Sequence, residues 1–391
     1  MNENNISVKL KRIEENISNL KSLLGVKENG QLEDMEKILN PEAGLAITKR
    51  DENGNAIEAE LRPGYTFEKL GITGALFENF ETLTFTEEIS SIPKNLLSGS
   101  TNIKKIIIKN PNFNNDFISI VNNSVITGSV LGQANGLEEI EGNINSVWRN
   151  TFSGCTSTIR KITLGPKVTS LYGEAFQNCK VLEMDTFPSQ VREIGGYFAS
   201  GGGGGTFYGC ESISFSEIPE NVSLKSQSSK STYTTQNMFR NCKNITLSKI
   251  PASWWMLGDY FFAGCEKITI SDLSNVTVLG DYAFQSCIGI TSLILGPITK
   301  WGYGYGRNFQ NCSNLKAIWA DDWTATPYSS TFEGCSNLLK IYINKPRSTV
   351  ESISSYSSKW GAINATIICN DDEEFLTKEE FKTIDWTNYT E

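Results

Sequence analysis

The chain of 391 residues contains no histidine. That absence removes Ser-His and Cys-His nucleophilic pairs and any metal site built on imidazole. The nine cysteines include no Cys-x-x-Cys pair, so a zinc knuckle lacks its usual spacing, and an odd count argues against a closed disulfide framework. No run of eighteen apolar residues is present to span a bilayer, and the opening "MNENNISVKLKRIEEN" lacks the basic, apolar and small-residue blocks of a secretory leader. Positive charge is scarce as well. The formal net charge is −9, with no gathering of Lys and Arg on which counterion release from nucleic acid would depend. Much of the acidic excess sits in residues 371–391, where eight acids face only Lys378 and Lys382. These absences lead to the expectation of a soluble, non-enzymatic chain made in the cytoplasm, with no cofactor, no metal, no membrane partner and no nucleic-acid partner.

What the sequence has is a recurrent spacing. A phenylalanine is followed three residues later by a cysteine at Phe152/Cys155, Phe176/Cys179, Phe207/Cys210, Phe239/Cys242, Phe262/Cys265, Phe284/Cys287, Phe309/Cys312 and Phe332/Cys335. Successive cysteines are 24, 31, 32, 23, 22, 25 and 23 residues apart, and a base period of 22 to 25 falls in the range of leucine-rich repeats. After each cysteine comes a polar pair and then alternating apolar residues, as in "CSNLKAIWA" and "CKNITLSKI", the mark of a half-buried strand. The unit then turns through Pro or Gly and returns through an aromatic stretch such as "LGDYAF" or "LGDYFF".

Stacking explains the spacing. Each coil of a solenoid buries the same positions against its neighbours, so a large ring at one inward position and a small side chain at the next corner fill the core in register. The phenylalanines are expected to form a spine, with the cysteines reduced, buried and structural. Weaker copies at Leu131/Ala134, Leu97/Ser100 and Phe77/Phe80 extend the array to about eleven coils.

The stretches "GEAFQNCKVLEMDTFPSQVREIGGYF" and "GDYAFQSCIGITSLILGPIT", within residues 77–345, resemble the BspA-type leucine-rich repeat family nearly position by position. The ending "IYINKPRSTVESISSYSSKWGAINATIICNDD" is similar to the terminal coil of such arrays. The resemblance implies a right-handed solenoid used for adhesion or binding, mostly on bacterial surfaces but also in some protists and in gut bacteriophage.

Four segments are expected: a helical oligomerisation segment (1–40), a hairpin linker and N-terminal cap (41–76), the repeats (77–345), and a C-terminal cap with an acidic tail (346–391). The fold class is α+β, a leucine-rich-repeat solenoid behind a coiled-coil helix. Ile6, Leu10, Ile13, Ile17, Leu20 and Leu24 step by fours and threes, a heptad seam whose isoleucines at one core position favour three or four strands, so a homotrimer is expected. The alternative is an amphipathic helix docked on its own solenoid. "GLAITKRDENGNAIEAEL" reads as a hairpin turning at Asn53 and Gly54.

Two candidate binding regions stand out. Insertions before Phe207 ("GGYFASGGGGGTF") and Phe239 ("LKSQSSKSTYTTQNMF") occupy one place in successive coils and so project from one edge, as binding loops or as excursions without a task. Flat amphipathic rings, suited to sugar faces or protein hot spots, concentrate late in the chain. The candidate ligand-binding residues are Trp254, Trp255, Trp301, Tyr303, Tyr305, Trp323 and Tyr328. Asp321 and Asp322 beside Trp323 are two acids in a turn, where solvation is the ordinary role. The composite expectation is a bacteriophage tail-fibre or receptor-binding virion component. Its partners are a host surface glycan or protein, its own copies, and other virion proteins through the N-terminus; a bacterial surface adhesin or interaction scaffold is the alternative.

Overall fold

The computed structural model describes residues 45–62, 80–92, 96–98, 100–121, 124–129, 131–152, 155–196, 205–225, 235–302, 304–321, 323, 325–353 and 356–390. The heptad seam, Phe77, Tyr303, Asp322 and residues 197–204 and 226–234 of the two insertions lie outside them.

The chain opens with a hairpin of β1 (Leu45–Arg50) and β2 (Ala56–Leu61), paired antiparallel around Gly54, whose φ of 82° suits a residue without a side chain. From β2 onward the coils pair in parallel. β3 (Thr82–Phe85) and β4 (Lys105–Ile108) follow, then a separate hairpin of β5 (Asp116–Val121) and β6 (Ser124–Ser129). Next come β7 (Glu139–Ile144) and β8 (Lys161–Leu164), and the first sheet runs β1-β2-β3-β4-β7-β8.

Short strands make a second side in six of the coils. β9 (Ser170–Leu171), β10 (Glu193–Ile194) and β11 (Ser223–Leu224) form one ladder. β12 (Met256–Leu257), β14 (Val278–Leu279) and β16 (Lys300–Trp301) form another. The last sheet joins β13 (Asp272–Leu273), β15 (Ser292–Leu295), β17 (Ala317–Ala320), β18 (Lys340–Ile343) and β19 (Thr366–Cys369). Two short α-helices, α1 (Arg347–Glu351) and α2 (Lys378–Thr383), lie in the C-terminal cap. Among the described residues the fold is therefore a mostly-β leucine-rich-repeat solenoid of about eleven coils with few helices. The α+β expectation is corrected to that extent: its long helix belonged to residues 1–40, and the returning arms of the coils are turns. No helix among the described residues is long and apolar enough to cross a membrane.

The third side of each coil is the Phe-x-x-Cys turn, and its rings do stack. Phe152, Phe176, Phe207, Phe239, Phe262, Phe284, Phe309 and Phe332 form one column with neighbouring centroids 5.3 to 5.7 Å apart. All are buried, as are Leu97 with Ser100 and Leu131 with Ala134 in the weaker coils. The nine cysteines are free and buried. Six thiols do more than fill a corner, because each donates to the carbonyl of the preceding coil's phenylalanine. The pairs are Cys210 to Phe176 (2.9 Å), Cys242 to Phe207 (3.0 Å), Cys265 to Phe239 (2.9 Å), Cys287 to Phe262 (3.1 Å), Cys312 to Phe284 (3.1 Å) and Cys335 to Phe309 (3.0 Å). A side chain at this corner must be small, apolar enough to bury and able to donate one hydrogen bond. Burial pushes the Cys155, Cys210, Cys242, Cys265, Cys287 and Cys312 thiols up, to about 12 for Cys155, which favours their protonated, unreactive form.

Candidate binding face

The backbone of the Phe-x-x-Cys side alternates in handedness. Two residues before the spine phenylalanine, Asn237, Tyr260, Tyr282 and Arg307 have φ between 52° and 60°; two residues after it, Asn241, Ser286 and Asn311 lie at 59° to 61°. This alternation turns every second N–H toward the next coil. Tyr260 donates to Asp281 (2.8 Å), Phe262 to Ala283 (2.7 Å) and Gly264 to Gln285 (2.7 Å), and the next coil repeats the pattern from Tyr282, Phe284 and Ser286. Asparagine and glycine enter the left-handed region readily, whereas a tyrosine there is strained by about 1–2 kcal/mol.

The strained tyrosines face outward and stack along the solenoid axis. Tyr260 and Tyr282 lie 4.7 Å apart and 3° from parallel. Tyr305 continues the row 6.3 Å beyond Tyr282 and is 71 % exposed. Arg240 lies over the ring of Tyr260 at 4.2 Å and over Tyr208 at 5.5 Å. Arg307 donates to the Tyr282 hydroxyl (3.3 Å) and pairs with Glu333 (3.4 Å). Beside the rings runs an amide row, with Gln285 donating to Gln310 (2.7 Å) and Gln310 to Glu333 (3.1 Å). The result is a stripe of half-exposed rings, two guanidinium groups and amides, a mixture suited to hydrogen bonding and to stacking on flat apolar faces. A second pair, Trp148 and Tyr172, stacks at 4.5 Å with Lys225 4.1 Å above Tyr172.

Two aspartates fix the stripe from beneath. Asp259 accepts the Asp281 N–H (2.8 Å), and the buried Asp281 carboxylate accepts the N–H groups of Tyr305 (3.2 Å) and Gly306 (2.6 Å). Burial pushes the Asp259 carboxyl above its ordinary value, and the Asp281 N–H opposes that shift.

The tryptophans expected to bind ligand lie elsewhere. Trp254, Trp301 and Trp323 are 0 to 3 % exposed and belong to the core. Trp254 donates its indole N–H to the Val222 carbonyl (2.8 Å) and Trp301 to that of Ala325 (2.9 Å). Trp301, Trp323 and Trp360 pack edge to face inside the last coils. Three rings of this size replace a whole inward corner; the Trp301 indole nitrogen finds a carbonyl there, whereas that of Trp323 is buried without a hydrogen-bond partner among the described residues. Trp255 is half-buried, while Tyr305 and Tyr328 are exposed. Asp321 is exposed and accepts from Asn344 (3.2 Å). Tyr260 and Tyr282 escaped the sequence reading although "GDYFF" and "GDYAF" carry them; the signal was a tyrosine two residues before a spine phenylalanine. No cluster of His, Cys, Asp and Glu suited to a metal ion occurs among the described residues.

A family model described as "BspA type Leucine rich repeat region (6 copies)" matches residues 126–233, 203–302 and 232–359. No curated protein matches the chain. Among solved structures, a leucine-rich cell surface protein from Faecalibacterium prausnitzii is 16 % identical over 80 % of this chain and 83 % of its own, with a TM-score of 0.34. A leucine-rich repeat protein from Bacteroides ovatus is 15 % identical over 83 % and 89 %, with a TM-score of 0.35. The pneumococcal vaccine antigen PcpA is 15 % identical over 83 % and 82 %, with a TM-score of 0.30.

Proposed function

The chain belongs to the BspA-type leucine-rich repeat family, and from that premise we propose that it is a non-enzymatic binding protein whose outer tyrosine and arginine stripe engages a surface glycan or protein. One observation carries this reading. Tyr260 and Tyr282 hold the left-handed conformation at positions where Asn150 and Asn237 serve in other coils, so the rings are kept at a cost in strain and presented outward. A core role would have turned them in.

The triple variant Tyr260→Asn, Tyr282→Asn, Tyr305→Ser tests it on a printed glycan array, with intact bacterial cells as a second probe. The expected result is at least tenfold weaker attachment with thermal unfolding shifted by no more than about 1 kcal/mol, because asparagine relieves the strain that the lost stacking had offset. Attachment equal to wild type, or none by either protein, overturns the proposal.

The heptad seam from Ile6 to Leu24 favours a stalked trimer, as in a phage tail fibre whose N-terminus joins other virion proteins. Family membership supports the bacterial-surface alternative equally. Light scattering separates them: a trimer that dissociates on removal of residues 1–30 supports the stalk, and a monomeric full chain removes it.

A further inference from the structure

The first sheet stops at β8 although the coils continue, and the reason is a shift in which residues point inward. In the late coils that carry a full strand, the buried positions after the cysteine are the third, sixth and eighth, as in Leu315, Ile318 and Ala320 after Cys312 and Leu338, Ile341 and Ile343 after Cys335. After Cys179 they are Leu182, Met184 and Phe187, the third, fifth and eighth. Asp185 then falls where a strand needs an apolar or β-branched residue, and Pro188 removes a donor. The two segments begin to pair, with the Glu183 N–H on the Arg160 carbonyl (2.8 Å), and then separate.

A cleft of about 550 Å³ opens there, lined by Ile162, Thr163 and Leu164 on one side and residues 183–190 on the other. That volume lies within the ~300–1,000 Å³ of ordinary ligand sites. The N–H groups of Lys161 and Gly165 face β7 and its neighbouring turns, bonded to the carbonyls of Glu138 (3.1 Å) and Ile144 (2.7 Å). By strand alternation the backbone groups of Ile162 and Leu164 face the cleft. Gln190 donates to the Leu164 carbonyl (3.0 Å) and closes one end, while neither the N–H nor the C=O of Ile162 bonds the backbone of residues 183–190 across the cleft. The side chains agree: Ile162 and Leu164, second and fourth in β8, are half-exposed, whereas Ile318, Ala320, Ile341 and Ile343, second and fourth in β17 and β18, are fully buried. Along the rim the exposed Asp185 carboxylate accepts the Ser214 hydroxyl (2.8 Å), and no cation pairs with it among the described residues.

We propose that the open edge of β8 is a peptide-binding site. Its occupant is an extended polypeptide segment that adds as a strand, with apolar side chains at alternate positions over Ile162 and Leu164 and a lysine or arginine at the outward position near Asp185. Four residues matched to β8 span roughly 13 Å. The site is separate from the tyrosine stripe and does not depend on it.

A displayed random hexapeptide library, selected on the full-length protein, tests this. Enriched peptides are expected to alternate apolar and polar residues and to carry a basic residue. They should lose at least tenfold in affinity on Leu164→Pro, which deletes a cleft-facing donor on an edge strand and trims a half-exposed side chain, and likewise on Asp185→Lys, an exposed change that leaves folding intact. They should keep full affinity for the Tyr260/Tyr282/Tyr305 variant, and their binding should slow hydrogen exchange at the Ile162 and Leu164 amides. The proposal falls if nothing enriches, if peptides bind both cleft variants as well as wild type, or if those two amides in the free protein are already as protected as that of Ile318.

Discussion

The two long sheets share one winding and differ in what covers their outer faces. In the first, Thr82, Thr84, Lys105, Glu139, Glu141, Lys161 and Thr163 alternate with the inward residues, and Lys105 pairs with Glu141 (2.7 Å) and Glu139 (3.5 Å). In the last, the outward places hold Ile294, Trp319, Tyr342 and Ile368, which pack against Phe381 and Trp386 in a second apolar cluster. The C-terminal segment folds back to cover them. Trp319 donates to the Leu376 carbonyl (2.9 Å), and Lys316 bonds the carbonyls of Thr387 and Tyr389 (2.8 Å each). A capping box at Thr377 and Glu380 starts the short helix of that strap. One sheet face meets solvent as charge; the other is already occupied by its own chain. The apolar outer face of the C-terminal sheet is therefore closed by its own chain, and the two proposed binding surfaces lie on the turn side and at the β8 edge.

That contrast can be broken in order of size. Phe284→Ala removes a ring shared by both neighbouring coils and should cost about 3–5 kcal/mol in urea unfolding; a loss under 1 kcal/mol would deny the spine. Trp386→Ala uncovers Trp319 and Tyr342 and should cost about 3 kcal/mol, with dye binding to exposed apolar surface, whereas Ile107→Ala on the first sheet's half-buried outer face should cost about 1 kcal/mol. Equal losses at the two sites would erase the distinction between the sheets. Cys265→Ala gives up a thiol donor and a small volume, about 1–2 kcal/mol, and Cys265→Ser should be milder because Ser100 already fills such a corner.

The smallest effect concerns pH. Burial holds the Asp259 carboxyl above the ordinary value of 3.8, so the folded state keeps that proton longer than the unfolded one. Its contribution to stability is full below 3.8 and is lost as pH rises through the folded value. Asp259→Asn keeps an oxygen for the Asp281 N–H and removes that loss. The variant's melting temperature relative to wild type should therefore rise between pH 3.5 and 7, and a flat or falling difference would show that the carboxyl is not desolvated.

The repeats, the first hairpin and the inward phenylalanines and cysteines were legible because each is set by spacing alone. The facing of the tryptophans was not. Trp319 sits at an outward strand position and is buried only because residues 375–389 return over it, a contact some sixty residues away in sequence. Trp301 and Trp323 look like turn residues, yet their indoles replace aliphatic corners. Tyr260 and Tyr282 point outward because the backbone is left-handed there, and nothing in apolar periodicity reports handedness. The end of the first sheet was written in the move of a buried residue from the sixth to the fifth place after Cys179, a shift that matters only once the strand geometry is known.

The account stands on one dry column of rings and thiols running through the coils. Counting maleimide-labelled thiols by intact mass tests it most directly. The native protein should take up no label over a period in which the urea-unfolded chain takes up nine, one for each cysteine in the sequence. Rapid labelling of several thiols in the native state, at a pH where the fold is intact, would contradict it.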